Sequence, residues 1–269
     1  MTTLDDLLAL DWTSHTVEIA PGVQTRPGQP LLRDEARTRA VMRELRRHAM
    51  HDGRGDGLRA LDLGCLEGGF TVELARAGFD ALGVEGRASN HAKCAALARH
   101  LALPGLRFEL CDVKALAEAT HGRFDAVLCL GLLYHLDDPM AFVEHLAREL
   151  TTPRAVMFLD THVAPPDDAA MAGFGGRAAL SPLVTLTHRG HDYAGRWYHE
   201  YDGAQAPDEA WTSVSNARSF WPTEPALIAA LLRGGWDRVY PIYGTFEIGE
   251  EFALRRQYSR AWYVAVKGD

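Results

Sequence analysis

Between Leu58 and Asp160 the chain alternates short, nearly unbroken apolar runs with helix-like stretches, and this rhythm restricts the fold more than any other feature. The runs LRALDLG, DALGVEG, LRFELCD, FDAVLCLGLLY and RAVMFLD read as strands. The stretches GGFTVELARAG, SNHAKCAALARHLAL, VKALAEAT and PMAFVEHLAREL between them read as helices. A strand that is apolar on successive residues has both faces covered, as in a parallel sheet wrapped by helices. The repetition therefore predicts an α/β fold with a doubly wound, mostly parallel sheet. In such a sheet ligands bind beyond the carboxyl ends of the strands.

The rest of the chain frames this core. Residues 1–57 read as an N-terminal cap segment. It holds a short acidic amphipathic piece, then HTVEIAPGVQTRPGQP, whose Pro and Gly break regular structure. A helix is expected over DEARTRAVMRELRRHAM with Asp34 as its N-cap, followed by a turn in HDGRGDG. Residues 58–269 form the main domain. Within it, residues 161–222 are rich in Gly, Pro, His and aromatics and show no regular pattern. A block of that length inside a regular fold is more often functional than filler, so it reads as a ligand-binding insertion or lid. TEPALIAALLRGG restores a helix, with Thr223 as cap and Pro225 in the first turn. WDRVYPIYGTFEI and RAWYVAVKG read as two closing, antiparallel strands.

With 269 residues, 47% of them hydrophobic, the chain can bury a sizeable core. Its 28 Lys and Arg against 36 Asp and Glu leave a formal net charge of −8. Nucleic-acid binders usually present a basic face, so this balance argues against a nucleic-acid partner, although TRAVMRELRRHAM is locally basic. Cys65, Cys94, Cys111 and Cys129 form no CxxC pair and read as small hydrophobes in a reducing compartment. The opening MTTLDDLLALDW lacks the basic-then-apolar order of a secretory signal. No apolar run approaches the ~20 residues of a membrane span. These features suggest a soluble cytoplasmic protein without a membrane partner, and they leave its oligomeric state open.

The stretch ALDLGCLEGGF, Ala60 to Phe70, places a carboxylate and glycines at the mouth of the first strand. Glycines at 64, 68 and 69 let a ligand approach the backbone closely. Both a phosphate-bearing nucleotide and a phosphate-free nucleoside suit such a loop. The second strand ends at Glu85, ~20 residues after the glycines, where an acid can accept both ribose hydroxyls. The third ends at Cys111-Asp112, where a carboxylate can accept from a purine amino group, and the fourth at CLGLLYHLDDP. Suitable groups on four successive strand ends form a far stronger signal than a lone glycine loop.

This pattern resembles the class I S-adenosylmethionine-dependent methyltransferases over roughly Leu58 to Asp160. LDLGCLEGG is similar to their first motif, D/E-x-G-x-G-x-G, with Asp62, Gly64 and Gly68 in place. Leu66 stands where the middle glycine is usual, a replacement tolerated where the backbone dihedrals are ordinary. Glu85 matches the ribose-binding acid, Asp112 with Val113 the adenine-binding pair, and FDAVLCLGLLYHLDDP the fourth motif. GLLYHLDDP and the upstream HTVEIAPGVQT further resemble a branch holding tRNA wobble-uridine carboxymethyl-transferring enzymes and many small-molecule methyltransferases. The resemblance implies a seven-stranded Rossmann-like methyltransferase fold with S-adenosylmethionine as cofactor and S-adenosylhomocysteine as product. The implied cofactor-binding residues are Asp62, Gly64, Cys65, Glu67, Gly68, Glu85, Gly86, Asp112, Val113 and Leu130. A dinucleotide needs a free helix N-terminus for its pyrophosphate, and Glu67 inside the loop would repel it. Carboxylates at Asp62 and Glu67 suit the ammonium and sulfonium of S-adenosylmethionine instead.

For the acceptor, His135 is the favoured base. It follows the strand end expected nearest the methyl group, and an imidazole is the side chain best suited to proton removal at neutral pH. Tyr134 adjoins it, and His199 is the second candidate base. The aromatic-rich insertion, in HDYAGRWYHEYDG and WTSVSNARSFWPT, supplies the expected substrate-binding residues Arg196, Tyr198, Glu200, Tyr201, Asn216 and Arg218, with Trp211 among its aromatics. Either arginine could hold a carboxylate or phosphate. Asp137-Asp138 reads as a helix cap, and with no HExxH or paired Cys/His spacing no metal is expected. The leading function is methyl transfer to O, N or S of a small natural-product or amino-acid-like metabolite. A tRNA-modifying enzyme and a non-catalytic cofactor-binding module are the alternatives.

Overall fold

The computed structural model describes residues 3–175, 179–202, 212–246 and 248–268. The N-terminal segment forms α1 (Leu4–Leu8), a small hairpin of β1 (Glu18–Ala20) and β2 (Val23–Gln24), and α2 (Ala36–His48). The core then runs β3 (Arg59–Leu63), α3 (Gly69–Arg76), β4 (Asp80–Glu85), α4 (Ala88–Leu101), β5 (Leu106–Leu110), α5 (Glu118–His121), β6 (Phe124–Leu130), α6 (Pro139–His145) and β7 (Thr151–His162). After it come α7 (Asp168–Ala172), β8 (Val184–His188), β9 (His191–His199), β10 (Arg218–Pro222), α8 (Glu224–Gly234), β11 (Arg238–Pro241), α9 (Ile248–Tyr258) and β12 (Arg260–Val266).

The central sheet has seven strands in the order β11-β12-β7-β6-β3-β4-β5. β3 pairs in parallel with both β4 and β6, and only the β12 and β11 pairings are antiparallel. From β3 the chain winds outward to β5, then returns to β6 on the opposite side. The carboxyl ends of β3 and β6 therefore border the crevice where this class of sheet binds ligands. Successive residues of each strand serve opposite faces, as the pleat demands. Leu61, Leu63, Val127, Met157 and Tyr263 pack with α6 and α8 residues such as Val143 and Leu231. Ala60, Leu128, Phe158 and Trp262 pack with α2, α3 and α4, together with Leu7, Trp12 and Val17 of the N-terminal segment.

Local differences from the sequence reading have local causes. Asp34 ends a tight turn over Leu32–Asp34 instead of capping α2, whose N-cap is Glu35. Thr223 stands at the N-cap of α8, but its hydroxyl makes no capping bond. Asp138 does cap α6, accepting from the Ala141 N–H at 3.0 Å. The first closing strand is only Arg238–Pro241, and α9 intervenes before β12.

The insertion is not irregular: β8, β9 and β10 form a three-stranded antiparallel sheet. The β8–β9 hairpin closes through Arg189 and Gly190, both at positive φ (48° and 77°). Such two-residue turns usually advertise themselves with Asn, Asp or Gly at the first position, and Arg189 concealed this one. The aromatic density reflects packing. Trp221 lies stacked between His162 (4.8 Å) and Tyr198 (4.6 Å), with Phe174 and Tyr134 edge-on.

Candidate active site

A cavity of about 260 Å³ opens at the carboxyl ends of β3, β4 and β6. Asp62, Gly64, Cys65, Glu85, Gly86, Asp112, Val113 and Leu130 line it, as do Tyr134 and His135. Asp62 is buried and accepts a hydrogen bond from the Thr71 hydroxyl at 2.7 Å. Burial raises its pKa to about 6, against the opposing effect of Thr71, so a cation at this point would favour its ionised form. Glu85 accepts from the N–H groups of Leu66 (2.8 Å) and Arg87 (2.7 Å), and burial pushes its pKa upward. Asp112 caps the short turn Val113–Ala115 through the Lys114 N–H (2.9 Å) while lining the cavity.

The loop departs from expectation at three residues. Leu66 adopts a left-handed backbone (φ 53°), not an ordinary one, because that conformation turns its N–H toward Glu85. Gly68 caps α3 outside the cavity lining. Its positive φ (79°) and the space taken by Phe108, 2.6 Å from where a Cβ would lie, explain the glycine. Glu67 is turned away from the cavity and fully buried. It accepts from the backbone N–H of Thr13 (2.7 Å), Ser14 (3.0 Å) and His15 (2.8 Å), from the Thr13 hydroxyl (3.0 Å) and from Lys93 (2.8 Å). It therefore ties down the N-terminal strap and is not placed to meet a ligand's charge.

The N-terminal strap supplies a wall through two residues that were not among the expected site residues. Ser14 and His15 line the cavity. His15 accepts from the Gly69 N–H at 3.0 Å, and burial, followed by the Arg37 charge, depresses its pKa to about 4, so the ring is neutral. Arg37 of α2 and Arg260 of β12 reach the same cavity and share Asp160 at the end of β7. Arg260 is bidentate (2.7 and 3.0 Å), whereas Arg37 approaches at 3.4 Å and its buried Nε has no hydrogen-bond partner. Burial pushes the Asp160 carboxyl up, but the two guanidiniums outweigh it and hold the group below its usual range. Two cations share one anion here, leaving positive charge for a ligand's carboxylate.

On the acceptor side, His135 follows β6 in the short turn Leu133–His135. Its Nδ1 faces the Glu200 carboxylate at 3.0 and 3.1 Å. Glu200 also accepts from the Ser219 hydroxyl (2.7 Å) and the Ser213 N–H (3.1 Å). A carboxylate can only accept here, so Nδ1–H donates to it and the ring is fixed as the Nδ1–H tautomer. Glu200 is thus a partner of His135, where the sequence suggested contact with the substrate. Asn216 donates to the carbonyl oxygens of His135 and Arg218 (both 2.9 Å) and braces the same turn. Burial raises the Tyr134 pKa to about 12, which makes it a neutral phenol. Thr212, Ser213, Val214 and Ser215 also line the cavity, and Arg87 donates to the Thr212 carbonyl.

The other expected acceptor residues lie elsewhere. His199 is exposed and pairs with Asp202 at 3.1 Å, so it cannot act in this cavity. Arg196 is buried and donates to the carbonyl oxygens of Pro165 (2.9 Å) and Ser181 (3.0 Å), fastening the insertion. Arg218 lies over the Trp197 ring at 4.3 Å, and Tyr198 stacks on Trp221. Tyr201 is half-buried and does not line the cavity. Trp211 lies outside the described residues.

Comparison with known proteins agrees with this geometry. A methyltransferase-domain family model matches residues 33–220. A ubiquinone biosynthesis O-methyltransferase of Psychrobacter cryohalolentis is 34% identical over 139 residues, covering 51% of this chain and 52% of that protein. The chain thus spans about half the length of several curated relatives that it matches. The protein of the same name from Azorhizobium caulinodans is 31% identical over 189 residues, 68% of this chain and 70% of that one. Among solved structures, the N-terminal domain of EvdMO1 in the presence of SAH and D-fucose is 25% identical, with a TM-score of 0.67. That alignment covers 98% of this chain and 94% of the EvdMO1 domain. With a Rossmann-like sheet, a cavity at its switch point and a family match over most of its length, the chain belongs to the methyltransferase-domain family.

Proposed function

We propose that this protein transfers a methyl group from S-adenosylmethionine to a hydroxyl oxygen of a small molecule. The observation that carries the acceptor chemistry is the His135–Glu200 pair at the cavity wall. A hydroxyl must lose its proton to become a good nucleophile, and a phenol near pKa ~10 keeps that proton at neutral pH. A thiolate or tertiary amine needs no such help. With Nδ1–H held by Glu200, the Nε2 lone pair of His135 is available to take the acceptor's proton. The names of the O-methyltransferase relatives and the sugar present with the EvdMO1 domain support the same reading.

The residues of the cavity suit the donor. When bound, S-adenosylmethionine supplies a methyl on a sulfonium, and a neutral thioether leaves as the new O–C bond forms. Glu85 and Asp112, both in the cavity lining, would hold the ribose hydroxyls and the adenine amino group respectively. At the other end of the cavity the Nε of Arg37 has no hydrogen-bond partner, and the methionine carboxylate would supply an acceptor for that guanidinium. Asp62, with its raised pKa, gains from a neighbouring ammonium. Ser213, which lines the cavity, donates its N–H to Glu200 and so helps to hold the carboxylate against His135.

The decisive experiment is a labelled-donor screen of phenols, deoxysugars, thiols and tertiary amines, run beside calorimetry with S-adenosylhomocysteine. Heat on titration and label on hydroxyl acceptors are expected. Turnover confined to thiols or tertiary amines would remove the acceptor reading, and absence of binding heat would remove the cofactor. Arg37→Ala is expected to weaken S-adenosylhomocysteine by about 10–100-fold, as a charge-assisted hydrogen bond is worth about 1.5–3 kcal/mol. The same variant should bind 5′-methylthioadenosine, which lacks the carboxylate, like the parent. Equal losses for both nucleosides would place Arg37 in general support of the wall.

A further inference from the structure

β5 ends one side of the central sheet, and the chain folds back beside it through α5. This return gathers three side chains of metal-ligating type that no sequence spacing announces. Glu109 and Cys111 are two residues apart, so they fall on one side of an extended chain. His121 meets them from the end of α5. One ligand atom from each lies within 4.8 Å of the other two. None of the three lines the cofactor cavity, so the site is independent of the methyl-transfer reading.

We propose that Glu109, Cys111 and His121 form a zinc site whose fourth position is open to water. The donor set decides the metal. Mg²⁺ and Ca²⁺ take oxygen ligands, whereas thiolate with imidazole and one carboxylate suits Zn²⁺. Charge balances as well: one thiolate and one carboxylate neutralise a divalent ion. Binding forms a Zn–S bond and releases the Cys111 thiol proton to solvent; the other two ligands donate lone pairs. Zinc–ligand bonds of about 2.0–2.3 Å set neighbouring ligands roughly 3.5 Å apart; the His121–Glu109 side, 3.3 Å, already has that length, and the sides to Cys111 need shorten only within their 4.8 Å limit. The Glu109 side chain, 43% exposed, is free to make that adjustment.

His121 is prepared for both states. Its Nδ1 lies 3.1 Å from the backbone nitrogen and also 3.1 Å from the carbonyl oxygen of Ala117. Without metal, Nε2–H can donate to Glu109, 3.3 Å away, while Nδ1 accepts the Ala117 N–H. With metal on Nε2, Nδ1–H donates to the Ala117 carbonyl with no movement of the ring. An outer partner of this kind is what orients a histidine ligand in zinc proteins.

The test titrates the metal-stripped full chain with Co²⁺ and then displaces it with Zn²⁺. A near-ultraviolet sulfur-to-cobalt charge-transfer band, strong visible bands of a four-coordinate ion and micromolar or tighter Zn²⁺ binding are expected. Cys111→Ser should abolish the charge-transfer band. It and His121→Gln should each weaken Zn²⁺ by more than the roughly 10–100-fold that follows loss of an outer partner. Both should keep the parent's metal-free melting temperature. If Cys111→Ser disturbs the strand, Glu109→Gln gives an independent reading, since it removes the charge and leaves the thiol. A parent without the charge-transfer band would overturn the proposal, as would Cys111→Ser or Glu109→Gln binding Zn²⁺ as tightly as the parent. Either result would mean that the three groups only hydrogen-bond one another.

Discussion

Glu67→Ala should lower the stability of the fold by about 3–5 kcal/mol, the loss typical when one member of a buried ion pair is removed. The carboxylate is the common acceptor for the N–H groups of Thr13, Ser14 and His15, the Thr13 hydroxyl and the Lys93 ammonium. Its removal strands backbone donors and a side chain that is only 13% exposed. Glutamine is a poor substitute, because its amide group sets a donor against donors. Glu67→Ala combined with Lys93→Met should recover part of the loss, since no buried ammonium is then left unpaired. Urea titration at pH 7 measures each difference, and a Glu67→Ala deficit below about 1 kcal/mol, the size of an ordinary surface effect, would contradict the role given to it. The pH dependence carries a definite sign. Burial works to raise the Glu67 pKa, but its hydrogen bonds and Lys93 prevail and hold it near 2, below the ordinary 4.5. The stabilisation is therefore complete above pH 4.5 and fades as the pH falls toward 2, so parent and variant should converge in acid. Because Ser14 and His15 line the cavity, the variant should also bind S-adenosylhomocysteine more weakly.

The same residue shows why some of the site could be read from the sequence and some could not. A carboxylate between glycines at a strand mouth looks like ligand contact, because residue order reveals the loop but not what packs behind it. The three N–H groups that claim Glu67 come from residues 13–15, whose sequence gives no hint of the association. The central sheet was legible because each strand states its own burial in consecutive apolar residues. His135 was legible because it follows a strand end, and strand ends face the crevice in this topology. Glu200 was legible as a polar residue among aromatics, but its partner was not, since the pairing depends on how β9 folds back over the turn after β6. Arg37 and Arg260 converge on Asp160 only through tertiary structure. The Trp, Tyr and His residues of the insertion suggested a binding surface, yet His162, Trp221 and Tyr198 spend their ring faces on one another.

His135→Asn should reduce kcat for a hydroxyl acceptor by about 10²–10⁴, the usual worth of a positioned general base. Glu200 does not touch the acceptor; as a positioning residue it fixes the Nδ1–H tautomer and offsets the positive charge that forms on the ring after proton transfer. Glu200→Gln keeps a hydrogen-bonding oxygen within reach but removes the charge, so a smaller loss of about 10–100-fold is expected, below the roughly 10²–10³ that follows loss of a group acting directly on the transition state. Three readouts separate these roles from simple damage to the cavity. S-adenosylhomocysteine should bind both variants within a few-fold of the parent, because neither change removes a carboxylate or guanidinium placed for the cofactor. The residual rate of His135→Asn should climb toward high pH with the fraction of ionised acceptor, because no base remains in the cavity wall to take the acceptor's proton. The double variant should be no slower than His135→Asn alone, since Glu200 acts only through the ring it holds. A His135→Asn enzyme that retains its kcat within about threefold, less than the roughly 10²-fold minimum for a general base, would show that the acceptor arrives already deprotonated or never carried a proton.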